Sequence, residues 1–282
     1  MTIEVLATGY GLLEGPRVDD QNRLCFSDVP NGGVYRRHSD GRIETVIPKR
    51  RGVGGIAFNR GGGLVVSGRG LILFNDQSGE TRELFTQWEG KPFSGINDIQ
   101  PDESGSVYCG TLNFDPLAAQ PKPQPGSLFR VDPPNRATKL WEGIEVTNGM
   151  GFSPDRKLLY HCDSPTSAVW VYDVAADRSV RDRRIFAKLP QGMPDGMAVD
   201  SQGGVWVAAV NLGEVMRFKG DGTLDRRIKI PAKMVTSLTF GGPDLQDLYV
   251  VTADNTDHPE LKGTIFRMRS DIPGLAVPKA AF

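Results

Sequence analysis

Cysteine is scarce in this 282-residue chain: Cys25, Cys109 and Cys162 are an odd number, and no two stand at CxxC spacing. That argues against a disulfide framework and a thiolate metal site, and predicts three reduced thiols in a cytoplasmic protein. His161 adjoins Cys162, but neighbours on a strand point to opposite faces, so the two make no nucleophile and base pair. The other histidines, His38 and His258, fall in polar loops, and no histidine metal triad is expected. An excess of charge is missing too. Thirty-three Lys plus Arg against 34 Asp plus Glu leave a net charge of −1, which gives no global attraction to nucleic acid or an anionic membrane. The basic run Pro48-Lys49-Arg50-Arg51 is short and isolated and reads as a solvated loop. No run of about 18 apolar residues occurs, and MTIEVLATGYGLLEG lacks a basic segment followed by a long apolar one, so neither membrane insertion nor export by a signal peptide is expected.

A long apolar stripe of 3.6-residue period is also absent. Instead, 34 glycines and 20 prolines punctuate short Val, Tyr and Phe-rich runs, the pattern of strands separated by turns. One frame recurs: a polar residue, usually Gly, three mostly apolar residues, a turn, and a second apolar strand. It is seen in LEGPRVDDQNRLCFSDV (13–29), VGGIAFNRGGGLVVSGR (53–69), INDIQPDESGSVYCGT (96–111), TNGMGFSPDRKLLYHCDS (147–164), PDGMAVDSQGGVWVAAV (194–210) and VTSLTFGGPDLQDLYVVTA (235–253). Anchored on equivalent positions, the copies begin at Glu14, Gly54, Asn97, Asn148, Asp195 and Thr236, 40 to 51 residues apart, the length of a four-stranded propeller blade. The fold class is therefore all-β, a single six-bladed β-propeller over residues 1–282. The unused strand IEVLAT (3–8) is expected to complete the sixth blade and remove an exposed sheet edge. The Pro-rich stretch 113–126, with Phe114 and Leu117, is a loop insertion inside the third blade, either a lid over one mouth or an inert surface loop.

The first strand of each blade lines the central channel, so the anchor positions meet around one axis. Two carboxylates, Glu14 and Asp195, and two amides, Asn97 and Asn148, form an oxygen-donor set for one hard divalent cation, with calcium first and magnesium, manganese or zinc as alternatives. Asn97 faces either the ion or a substrate. Taken singly, Glu-Gly, Asn-Gly and Asp-Gly are ordinary turn dipeptides; their occurrence at one repeat register is what favours ligation.

At these residues the chain resembles the gluconolactonase family that includes senescence marker protein and luciferin-regenerating enzyme. The matching pieces are LLEGPRVDDQNRLCFSDV, GGIAF, NDIQPDESGSVYCGT, TNGMGFSPDRKLLYHCDS and PDGMAVDSQGGVWVAAV, in the family's order. The resemblance implies a propeller hydrolase of a lactone, with a catalytic divalent metal on Glu14, Asn148 and Asp195, and Asp195 also as general base. It implies that Asn97 is a further ligand or a substrate contact, and that Asp115 occupies the place of a second acid. Sugar-acid lactonases of the family carry an Arg where this chain has Gly95, which predicts a bulkier or more apolar lactone. Two rival readings stand beside this one: a phosphotriester hydrolase on the same site, and a non-catalytic binding propeller with structural calcium. A small-molecule lactone or ester is the expected partner.

Overall fold

A computed structural model describes residues 2–115, 118–119 and 122–282, so Leu117 lies outside the described residues. Six four-stranded antiparallel sheets follow one another along the chain. Their first strands, next to the axis, are Leu13–Val18, Ile56–Phe58, Gly95–Pro101, Thr147–Phe152, Met193–Val199 and Val235–Gly241. In blades one to five the four strands run consecutively outward. In blade six the outermost strand is Glu4–Tyr10, which pairs antiparallel with Gly263–Arg269 and closes the ring as the sequence predicts. A short hairpin, Gln87–Trp88 with Lys91–Pro92, is an addition between blades two and three that the repeat pattern does not announce.

The turn leaving each first strand has a local cause. Five residues after the anchor stand Asp19, Asp102 and Asp200 in blades one, three and five. Oδ1 of Asp19 accepts from the backbone N–H of Gln21 and Arg23, that of Asp102 from Ser104 and Ser106, and that of Asp200 from Gln202 and Gly204. These Asx turns substitute a side-chain oxygen for the missing strand partner and start the hairpin. Asp200 is fully buried, and its Oδ2 also accepts from Trp206 Nε1 and Arg217 Nε, each at 2.7 Å.

The apolar core is divided among the six seams between blades. Among the described residues, one cluster joins Val171 and Tyr160 of blade four to Met197 and Val207 of blade five, another joins Phe129 of blade three to Leu71 of blade two, and the other four seams are filled in the same way. Burial of this surface, at about 25 cal/mol per Å², is what holds each sheet against the next.

The first strands can be followed around the axis by their contacts. A Cβ at Gly15 would stand 3.1 Å from the Gly54 carbonyl, one at Gly54 would stand 2.0 Å from Asn97 Oδ1, and Asn97 Nδ2 donates to the Thr147 carbonyl at 2.8 Å. A Cβ at Gly149 would meet the Asp195 carbonyl at 2.7 Å, and one at Gly196 would meet Ser237 Oγ at 2.0 Å. Thr236 Oγ1 donates to the Leu13 carbonyl at 2.6 Å and completes the circle. Only glycine allows main chains and short side chains to approach this closely.

The chain after blade six does not trail away. Leu275 N–H donates to the Val199 carbonyl of blade five, Ala280 N–H to the Phe58 carbonyl of blade two, and Ala281 N–H to the Gly105 carbonyl of blade three. Residues 275–277 thus cross the end of the channel opposite the anchors. They leave a cavity of about 30 Å³ against Arg17, Gln100, Met150 and Met197.

Candidate functional site

Five of the six first strands carry a β-bulge at the anchor, between Glu14 and Arg17, Ile96 and Ile99, Thr147 and Met150, Pro194 and Met197, and Val235 and Ser237. A bulge breaks strict alternation and re-aims side chains. Glu14 and Asn148 are buried, while Asn97 and Asp195 keep partial access to the channel.

The two amides are held by hydrogen bonds. Asn97 Nδ2 donates to Asn148 Oδ1 at 2.6 Å as well as to the Thr147 carbonyl. Asn148 Nδ2 donates to Ser164 Oγ at 2.6 Å, and Ser164 Oγ in turn donates to the Pro194 carbonyl at 2.6 Å. That chain of bonds fixes which end of the Asn148 amide is oxygen and ties blade four to blade five beside Asp195.

The carboxylates are electrostatically strained. The Glu14 carboxyl is pushed well above the usual range, first by burial, then by the charges of Asp195 and Asp98. Asp195 is raised well above it by burial and by Asp98. Asp98 itself is raised to about 6 by burial, with Arg17 pulling the other way. Carboxylates that repel one another inside a low-dielectric channel favour a proton or a cation between them.

Asp98 and Arg17 are the site residues that reading by repeat passes over. Position for position, Asp98 falls where blades one, two, four and five have Gly15, Gly55, Gly149 and Gly196, so an acid at an otherwise small position was the available signal. Both side chains are buried. Arg17 donates from Nη1 to the Pro16 carbonyl and from Nη2 to the Ile99 carbonyl, while its Nε and Asp98 Oδ2 have no hydrogen-bond partner among the described residues.

No three His, Cys, Asp or Glu side chains among the described residues gather closely enough to ligate one ion by themselves. A cation here must draw on amide oxygen as well. Glu14, Asp195 and the oriented Asn148 Oδ1 supply hard oxygen donors carrying two negative charges, a set that fits a divalent ion.

The remaining expected site residues fall at the same end. Gly95 pairs with Leu112, and a Cβ placed on Gly95 would touch only Leu112, at 3.6 Å, before reaching the Gly68 carbonyl at 4.0 Å. Asp115 is exposed on the insertion three residues beyond Leu112. Asn113 Nδ2 donates to the Pro125 carbonyl at 2.6 Å and draws the two ends of that insertion together. His161 is buried and bonded through Nε2 to Thr147 Oγ1 at 2.5 Å; burial, with Arg183 adding to it, pushes it down to about 3, so it is neutral. The Cys162 thiol is pushed well above its usual value by burial and by Asp195, Asp98 and Asp163, which leaves it no thiolate character.

Residues 12–254 match the model of the SMP-30/Gluconolactonase/LRE-like region, and the chain belongs to that family of six-bladed propellers. Among curated proteins it is 33% identical over 264 residues to pentonolactonase XacC of Haloferax volcanii, covering 90% of this chain and 86% of that protein. It is also 33% identical over 268 residues to the 6-deoxy-6-sulfogluconolactonase of Pseudomonas putida, covering 90% and 89%. Among solved structures, the calcium-binding protein regucalcin from Agrobacterium tumefaciens superposes with a TM-score of 0.87 at 24% identity, over 99% of this chain and 97% of that one. No helix among the described residues is long and apolar enough to cross a membrane.

Proposed function

We propose that this chain hydrolyses a lactone at the anchor end of its channel, with one divalent ion held by Glu14, Asn148 and Asp195. The observation that carries this reading is the meeting of two mutually repelling carboxylates, Glu14 and Asp195, with an amide whose orientation is fixed by Ser164. The two relatives named lactonases share the family, and the calcium-binding protein of the same fold favours calcium over magnesium, manganese or zinc. When bound, the ion would supply a Lewis acid that polarises the lactone carbonyl and offsets the negative charge developing there.

The chain's own residues do the rest. Asp195, with partial access to the channel, takes the proton from the attacking water as general base. Ser164 keeps Asn148 oriented, and Asn97 keeps its Nδ2 on Asn148 and its Oδ1 against Gly54, ready to contact substrate. Asp115 contacts the substrate from the insertion. The space at Gly95 and the apolar Leu112 beside it suit a lactone bulkier than gluconolactone.

The test is hydrolysis of a panel of γ- and δ-lactones, with a phosphotriester as control, by protein stripped with chelator and given back Ca²⁺, Mg²⁺, Mn²⁺ or Zn²⁺ in turn. Lactone turnover that vanishes and returns with one ion is expected. Thermal destabilisation on stripping with no turnover under any ion would make the ion structural and the lactonase reading wrong.

A further inference from the structure

The basic run that reads as a solvated loop lies beside the anchor end of the channel. Arg50 is half-buried, and it donates from Nε to the Ser67 carbonyl at 3.1 Å and from Nη2 to the Gly70 carbonyl at 3.1 Å. Those two bonds pin the guanidinium over the 67–70 turn of blade two. Gly68, in that turn, exchanges two backbone hydrogen bonds with Ile96 at the start of the blade-three first strand, N–H to carbonyl at 3.1 Å and carbonyl to N–H at 2.6 Å. A Cβ on Gly68 would stand 3.3 Å from Arg50 Nη2, and the Gly68 carbonyl is 4.0 Å from where a Cβ on Gly95 would be. The guanidinium and Gly95, where a Cβ would make only ordinary contacts, are therefore separated by a single glycine.

Among the described residues, no carboxylate pairs with Arg50, nor with Lys49, Arg51 or Arg69, which are exposed on the same rim. Burial lowers the Arg50 pKa, the mark of a charge taken from water without a counter-ion. Among the described residues, other half-buried arginines reach carboxylates, Arg183 on Asp163 and Arg226 on Asp225 and Asp271, while Arg37 resembles Arg50 in donating only to a carbonyl. A desolvated guanidinium with two donors already spent on carbonyls still has Nη1 to offer, and the partner that suits it is an anion.

We propose that Arg50 is a specificity-determining residue that receives an anionic group of the substrate, a carboxylate, sulfonate or phosphate, at the end of the lactone remote from the scissile carbonyl. The inference rests on the lactonase reading and sharpens it: the substituent passes through the room left at Gly95, runs along Leu112, and ends on the guanidinium. Lys49, Arg51 and Arg69 add long-range attraction for such a substrate, and that part weakens with salt, since the screening length is about 8 Å at physiological ionic strength.

Two probes differing only in charge test it: the γ-lactone of 4-hydroxyheptanedioic acid, which keeps a free carboxylate on its side chain, and the matching carboxamide. Wild-type protein should turn over the carboxylate with kcat/KM about tenfold or more above the amide, equivalent to about 1.4 kcal/mol. Arg50→Gln keeps donors for the two carbonyls but loses the charge, and should lose that preference while holding the amide rate within about twofold; Arg50→Lys should retain most of it. Equal losses on both probes would mean that Arg50 only props the turn, and no loss on either would remove it from the site; both overturn the proposal. Should wild type hydrolyse neither probe, the lactonase reading fails for this class. Calorimetric titration of the carboxylate probe into wild type and Arg50→Gln, in chelator, then decides the anion site alone, where equal affinities would overturn it.

Discussion

Asn97 and Asn148 are joined across the seam between blades three and four by one short amide-to-amide hydrogen bond, Nδ2 to Oδ1 at 2.6 Å. It occupies one lone pair of the oxygen assigned to the ion and leaves the other free. The opposite end of Asn97 lies against Gly54, where a Cβ would stand 2.0 Å from Oδ1.

Gly54→Ala is thus expected to displace the Asn97 side chain without touching a ligand. Activity should fall about tenfold or more, at a stability cost of about 1–3 kcal/mol from overpacking. Kinetics and a thermal melt on the same preparation check it; unchanged kcat/KM would show that Asn97 can move freely.

Ser164→Ala removes the acceptor that orients Asn148 and the donor to the Pro194 carbonyl. Loss of such an outer contact typically costs 10–100-fold in metal affinity or activity, and an unpaired buried amide about 1–3 kcal/mol. Calcium titration by calorimetry should show the weaker affinity, and Ser164→Thr should recover part of it.

Asp195→Asn keeps an oxygen for the ion but cannot accept a proton. It should lower kcat far more than it lowers metal affinity, whereas Glu14→Gln should weaken the metal more. A near wild-type kcat for Asp195→Asn would reduce Asp195 to a ligand.

The pH dependence of the ion-free protein has a defined sign. Asp98 holds its proton to about 6 in the folded chain, against an ordinary value of 3.8. Between those values the folded state binds more protons than the unfolded one, so stability must fall as pH rises through that window, by an amount on the order of 3 kcal/mol from Asp98 alone. Glu14 and Asp195, raised well above the usual range, extend the fall to higher pH. Urea denaturation in chelator at pH 4.5 and 7 checks it: Asp98→Asn should flatten the slope, and a divalent ion at pH 7 should restore stability. Stability that rises over this range would contradict the electrostatics.

Away from the site, Asp200→Ala would take the shared acceptor from Arg217 Nε and Trp206 Nε1, leaving Arg217 only its pair with Asp225 at 3.0 Å. Leaving buried donors unpaired costs about 1–3 kcal/mol, and the urea midpoint should drop accordingly with little change in KM.

The six-fold register was legible because its marks are local. A polar anchor before glycine in blades one, four and five, and an Asp or Asn opening the next turn in blades one, two, three and five, answer to local backbone geometry, and Glu4–Tyr10 was recognisable as the strand left over. Asp98 and Arg17 escaped notice because alternation assigns neighbouring residues to opposite faces, and the bulges that suspend this rule leave no mark in a single sequence. Arg50 was hidden differently. A basic tripeptide looks solvated until the 67–70 turn is seen to lie against it, and that contact spans 17 residues and two blades. The crossing of residues 275–277 beneath the channel has no signature beyond a few apolar residues in a Pro- and Ala-rich tail.

That crossing lays main chain over the end of the central channel away from the anchors. A substrate taken in at the anchor end, as proposed, would leave by the mouth it entered. Ring opening adds a carboxylate to the cargo without giving it another door. The opened acid and the next lactone therefore compete for one passage, and accumulated product should appear as a competitive inhibitor whose grip loosens when the strap formed by residues 275–282 is cut away.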